Sequence, residues 1–126
     1  MTRAHTRMLR LWETQGGRCH WCGLPMHRDG DCPGGVLSPW YGSLEHLCRR
    51  GEPDYDDVVA AAHVFCNELR EALNPADFIT LVHSASFCGF YQNTIGRPVT
   101  MRQRVVRTMI RRFARGTHQQ GRLMAQ

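Results

Sequence analysis

The stretch HVFCN, His63–Asn67, crowds three potential metal donors into five residues. His63 and Cys66 suit a borderline-soft cation, and Asn67 offers a weaker amide oxygen. Upstream, CHWC places Cys19 and Cys22 at C-x-x-C spacing, and HVFC places His63 and Cys66 at H-x-x-C spacing. Zinc takes four nitrogen and sulfur donors tetrahedrally, and a two-residue gap lets a tight turn aim both members of a pair inward. Gly16, Gly17 and Gly23 flank the first pair. They suit a knuckle turn whose backbone angles other residues avoid. Two such pairs would cross-link distant parts of a small fold. A C-x-x-C can also be a redox pair, and His63 can be an ordinary core histidine. No strand-then-helix pattern of thioredoxin type surrounds Cys19 and Cys22, and the partnership of the two pairs favours Zn2+. Cys32, Cys48 and Cys88 lack paired spacing and read as buried or free thiols. His20, between two ligands, is expected to point outward.

The remaining composition sets the frame. The 126 residues fit a single domain, 1–126, and 42% hydrophobic content allows a modest core that a bound metal would reinforce. No apolar run reaches the roughly 18 residues of a membrane span, so no membrane partner is expected. The first residues, MTRAHTRMLRLWETQ, are amphipathic and lack the apolar centre of a signal peptide. A reducing cytoplasm is the default expectation, and there six cysteines favour metal over disulfides. The net charge is +5, every one of the 16 basic residues is Arg, and all 11 acids lie between Glu13 and Asp77. Eight Arg fall between Arg97 and Arg122, with no acid from Phe78 onward. Such a one-sided tail suggests a polyanion partner, against the alternative of a basic surface with no target.

Periodicity organises the chain. Ala4, Met8, Leu11 and Trp12 predict a helix over 2–15, stopped by Gly16-Gly17. A turn-rich stretch, including LPMHRDGDCPGGVLSPWYG, runs to about Ser43. Extended segments are expected around Glu45-His46 and after Asp57, and VFCNELREAL reads as a helix. Asn74 as N-cap, Pro75 at N1 and Asp77 in the first turn predict another helix, broken by GFYQNTIGRP. A last helix is expected over 99–115. Met101, Val105, Val106, Met109, Ile110 and Phe113 span one side, and Arg104, Arg107, Arg111 and Arg115 stripe the other. The stripe is either a solvated face or a phosphate-contacting one. The lack of interleaved acids favours the second. The expected class is α+β: a small, mostly helical domain around a ββα core at 16–72, with a helical, Arg-rich extension at 74–126.

Glu45 and His46 are adjacent, and neighbouring strand residues face opposite ways. A bulge or strand end is needed to bring both to one site. The order CHWC, LEHL, HVFCN resembles the zinc-bearing HNH endonucleases with their ββα-metal motif. The likeness covers Gly16 to Arg70, under half of the chain. It implies that His46 is the general base that activates water. It also implies that Glu45 and Asn67 hold a catalytic Mg2+ or Mn2+, and that DNA is cut or nicked to leave 5′-phosphate and 3′-hydroxyl ends. The family's middle Asn falls at Val58, so the adjacent Asp57 is implied to serve with a one-residue slip. Arg49, Arg50 and Arg70 just beyond the motif are expected to include a phosphate ligand. The small size resembles stand-alone phage or mobile-element nucleases of a bacterial host. Two other functions stay open: a zinc-stabilised nucleic-acid-binding module with a degenerate HNH site, and a small zinc scaffold for protein contacts.

Overall fold

Two five-residue strands, β1 (Gly42–His46) and β2 (Val59–His63), pair antiparallel with Gly42 opposite His63 and His46 opposite Val59. The structure is a computed structural model that describes residues 3–28, 38–100 and 103–125, with side chains as far as Arg115. Cys32, Met101 and the centre of the turn-rich stretch lie outside the described residues. A two-stranded ribbon is marginal alone, so neighbouring elements must cover it. Helix α1 (Arg3–Thr14) packs across both strands, with Met8 buried and Leu11 and Trp12 partly so. Ala4, expected on the same apolar side, is exposed.

The outer edge of β2 is occupied by side-chain and loop groups. The Ala61 N–H donates to Gln15 Oε1 at 2.8 Å, and the Ala61 carbonyl accepts from Gln15 Nε2 at 2.9 Å. The backbone N–H of His20 donates to the same carbonyl at 3.0 Å. Helix α2 (Val64–Ala72) begins directly after β2 and buries Phe65, Cys66 and Leu69 at helical spacing. The result is a ββα unit in an α+β fold, as the sequence pattern led one to expect.

The second half of the chain adds three helices. Asn74 caps α3 (Pro75–Val82): its side chain accepts from the Asp77 N–H at 2.9 Å, with Pro75 in the first turn. The expectation that this helix would run on until GFYQNTIGRP is wrong. The chain leaves helix at His83, and Ser84 caps a new one, α4 (Ala85–Thr94), through its Oγ and the Phe87 N–H. GFYQNT is therefore helical. A single Gly costs a helix only about 1 kcal/mol, which the buried Phe87 and Tyr91 on the same helix offset. The last helix, α5 (Gln103–Ala125), runs ten residues further than expected, and Val99 and Thr100, expected within it, are not helical. Val106 and Met109 are buried, and Val105, Ile110 and Phe113 pack partly against the core. None of the helices among the described residues is long and apolar enough to cross a membrane.

Trp40, fully buried, is the hub that joins the two halves. Its ring meets Phe65, Phe87 and Tyr91 edge-on at centroid distances of 5.5, 5.5 and 4.8 Å. Its indole N–H donates to Thr94 Oγ1 at 2.7 Å, so burial leaves no orphan donor. Trp40→Ala is expected to cost about 3–5 kcal/mol, read as a fall in the urea midpoint of the zinc-loaded protein. A loss under about 1 kcal/mol would remove Trp40 from this role.

Candidate metal centre and adjoining cavity

The knuckle around Cys19 is built by backbone geometry. Gly17 (φ +74°) and Gly23 (φ +76°) take left-handed angles. A Cβ on Gly17 would come within 2.8 Å of the Trp12 ring, so glycine is also a packing requirement there. The Cys19 N–H donates to the Leu24 carbonyl at 2.9 Å, and the Gly23 N–H to the Cys19 carbonyl at 3.0 Å, closing the turn. The end of β2 and the first turn of α2 bring His63 and Cys66 to meet it. The donor atoms of Cys19, Cys22, His63 and Cys66 all lie within 4.8 Å of one another.

This cluster fits a tetrahedral zinc. Ligands about 2.0–2.3 Å from a common ion stand about 3.5–3.8 Å apart. His63 Nδ1 is 3.3 Å from Cys22 Sγ and 3.7 Å from Cys66 Sγ. The other ring nitrogen, Nε2, lies 2.9 Å from the Pro25 carbonyl. An N–H there donates to that oxygen and leaves the Nδ1 lone pair facing the sulfurs, the outer bond that orients a histidine ligand. Cys19 Sγ accepts from the backbone N–H groups of Trp21 and His63, each at 3.4 Å. The thiols titrate as a set. Hydrogen bonds from Cys22 and Cys66 hold Cys19 far below the ordinary thiol range. Cys22 is pushed up to about 12, chiefly by its bond to Cys19, and burial pushes Cys66 well up.

Beside the cluster opens a cavity of about 800 Å3 whose lining includes Glu45, His46, Arg50, Tyr55, Asn67 and Arg70. His46 is the last residue of β1; it and Glu45 both line the cavity, and His46 also lines a neighbouring hollow with Leu44. Trp21, inside the knuckle, donates its indole N–H to Glu45 Oε2 at 3.3 Å. Arg70 Nη1 pairs with Glu45 Oε1 at 3.1 Å. The same guanidinium donates to the carbonyls of His46 (2.9 Å) and Leu47 (3.4 Å) and lies 4.7 Å from the Trp21 ring centroid. Burial pushes the Glu45 carboxyl up, while the Arg70 charge and the Trp21 bond pull it down. The His46 ring stacks on Tyr55 at 4.2 Å and 5°, with Nε2 3.9 Å from Asp56 Oδ1.

Asn67, one residue past Cys66, is held by a relay. Its Nδ2 donates to Ser43 Oγ at 2.6 Å, and that hydroxyl donates to the Ala62 carbonyl at 3.1 Å. Ser43 thereby offers Asn67 only a lone pair, which fixes the amide with Oδ1 as the free atom. Oδ1 is buried and has no hydrogen-bond partner. An orphan amide oxygen and a carboxylate lining one cavity are hard donors of the kind Mg2+ takes. Glu45 already carries Arg70, and the Asn67 oxygen is itself buried.

The other sequence-derived candidates are exposed. Asp57 is exposed and lines a neighbouring hollow with Arg3, Arg7 and His46. Val58, at the family's middle-Asn position, is 39% exposed. Arg49 is exposed, and Arg50 sits exposed on the cavity rim. Arg104, Arg107, Arg111 and Arg115 are all exposed on α5, and none of them lines the cavity. His20 is exposed, as expected. Sequence reasoning missed Trp21, Ser43 and Tyr55. Ser43 was findable, since it lies two residues before Glu45 and strand alternation puts both on one face.

Comparison with known proteins finds no matching family model, curated protein or solved structure.

The metal cluster generates a pH-dependent expectation. Loading a metal expels the protons that Cys22 and Cys66 retain, so acid opposes binding and affinity rises with pH. Purified protein is expected to hold one Zn2+ per chain, with an apparent affinity at least tenfold weaker at pH 6 than at pH 8 in a competing-chelator titration. Cys66→Ser is expected to abolish stoichiometric zinc and lower the melting temperature. Unchanged zinc content and melting in that variant would remove Cys66 from the ligand set.

Proposed function

We propose that this chain is a metal-dependent endonuclease of HNH type that hydrolyses phosphodiester bonds in DNA. The observation that carries the reading is one cavity lined by His46 and Glu45 from the end of β1 and by Asn67 from α2, directly beside the Cys3His cluster. His46 serves as general base and takes a proton from the attacking water. Stacking on Tyr55 and the nearby Asp56 carboxylate hold its ring at the cavity wall. Glu45 and Asn67 would hold Mg2+ or Mn2+, which supplies charge neutralisation at the scissile phosphate and the departing oxygen. Arg50 and Arg70 line the same cavity and have the planar fork that matches phosphate. The exposed Arg face of α5 adds affinity that does not depend on base sequence and falls with salt.

Two observations favour a second reading, a nucleic-acid-binding module without catalysis. Glu45 is already neutralised by Arg70, and Val58 rather than Asn stands at the middle family position.

A supercoiled-plasmid assay with Mg2+ or Mn2+ separates the two. The wild type is expected to nick, and His46→Ala to lose about 10²–10⁴-fold in rate, the usual worth of a general base, while still binding DNA. Equal nicking by both proteins would reject His46 as base. Salt-sensitive DNA binding with no nicking under either ion would establish the second reading.

A further inference from the structure

Arg70, one of the expected phosphate ligands, lines the cavity but is already engaged there. Its guanidinium meets Glu45, two backbone carbonyls and the Trp21 face, and its side chain is still one-third exposed. Glu45 is much less exposed, at 13%. Both of its oxygens are engaged, Oε1 by Arg70 and Oε2 by Trp21. Asn67 Oδ1, by contrast, is buried and unpartnered. The two proposed donors for a hard cation are thus in opposite states: one idle, the other already holding a positive charge.

Two cations cannot share a half-buried carboxylate without strong mutual repulsion, because the low local dielectric magnifies it. A divalent ion entering at Glu45 must therefore displace Arg70 or bind weakly beside it. Arg70 needs another anion to leave for. It lines the open cavity along with Arg50, and a phosphate diester there offers the bidentate acceptor that guanidinium prefers.

Resting on the nuclease reading above, we propose that Arg70 is an exchangeable counter-ion. It neutralises Glu45 in the free protein and transfers to a DNA phosphate on binding, so that nucleic acid and divalent ion load the cavity cooperatively. Its two backbone bonds and the Trp21 face park the guanidinium at Glu45 in the interim. DNA releases Glu45, and the ion in turn keeps Arg70 on the phosphate. Linkage requires each ligand to tighten the other by the same factor.

The test measures Mn2+ binding by electron paramagnetic resonance in zinc-loaded protein. His46→Ala serves as the background, so that a DNA duplex stays intact. That protein is expected to bind Mn2+ at least tenfold more tightly with DNA than without, and to bind DNA tighter by the same factor when Mn2+ is present. Adding Arg70→Gln is expected to raise Mn2+ affinity at least tenfold in the absence of DNA and to shrink the mutual effect toward unity. Adding Arg70→Lys, which keeps charge without the planar fork, is expected to fall between. Zinc content and the melting curve verify that each variant is folded, and the reciprocal titration in the Arg70-containing protein needs no Arg70 variant at all. Equal DNA-free Mn2+ affinity with Arg70 and Gln, or absence of coupling when Arg70 is present, overturns the exchange. If wild-type nicking still responds to His46→Ala, the nuclease reading survives that result. Loss of Mn2+ binding under every condition, together with no nicking, overturns both.

Discussion

Four soft donors meeting at one point are the constraint from which the rest follows. Cys19 and Cys22 belong to a turn, His63 ends a strand and Cys66 opens a helix. A five-residue ribbon has too little surface to hold itself, and three of its buried side chains are alanines. Alanine burial contributes little apolar area. A metal cross-link between 19–22 and 63–66 would supply what a larger core otherwise would, and His63 would serve both, as a donor in the cluster and as a ring against Trp40 at 5.0 Å. Structural zinc contributes directly to folding free energy in small domains of this kind.

The metal cluster and the cavity share parts. Trp21 lies between two cysteine ligands, and its indole reaches Glu45 while its face supports Arg70. Asn67 follows Cys66 in the same helix, and its amide is oriented through Ser43 to the backbone of β2. Displacement of the knuckle would move the Glu45 contacts, and a shift of the strand would release Asn67. The geometry of the cavity is thus inherited from the ligand geometry through covalent adjacency and short hydrogen bonds, with few independent supports.

Much of the fold was legible because its signals are local. The paired donors, the Asn74-Pro75-Asp77 helix start and the Arg stripe of α5 are each readable within a few residues. The exceptions have physical reasons. His83-Ser84 carries a helix boundary without Gly or Pro, and only the Ser84 cap marks it. Gly89 looked like a break, yet packing of Phe87 and Tyr91 overrides propensity. Trp40 sits in a stretch that reads as turns, and its role depends on aromatic partners more than 45 residues ahead. In the cavity, residue types announced His46, Glu45 and Asn67, whereas the Arg70 pairing and the Tyr55 stack are tertiary facts with no periodic trace. Asp57, in an irregular loop, lines with His46 a hollow next to the cavity, a placement that positional transfer alone did not specify.

The covered outer edge of β2 has a further bearing. Gln15 and the His20 N–H cover Ala61, and the N–H of His63 points at Cys19 sulfur. An uncovered edge is a template for strand addition by another chain. Here two of the covering groups, His20 and Cys19, belong to the knuckle itself. Any metal held by the knuckle would thus also steady the groups that insulate this β-edge, and its loss would loosen both together.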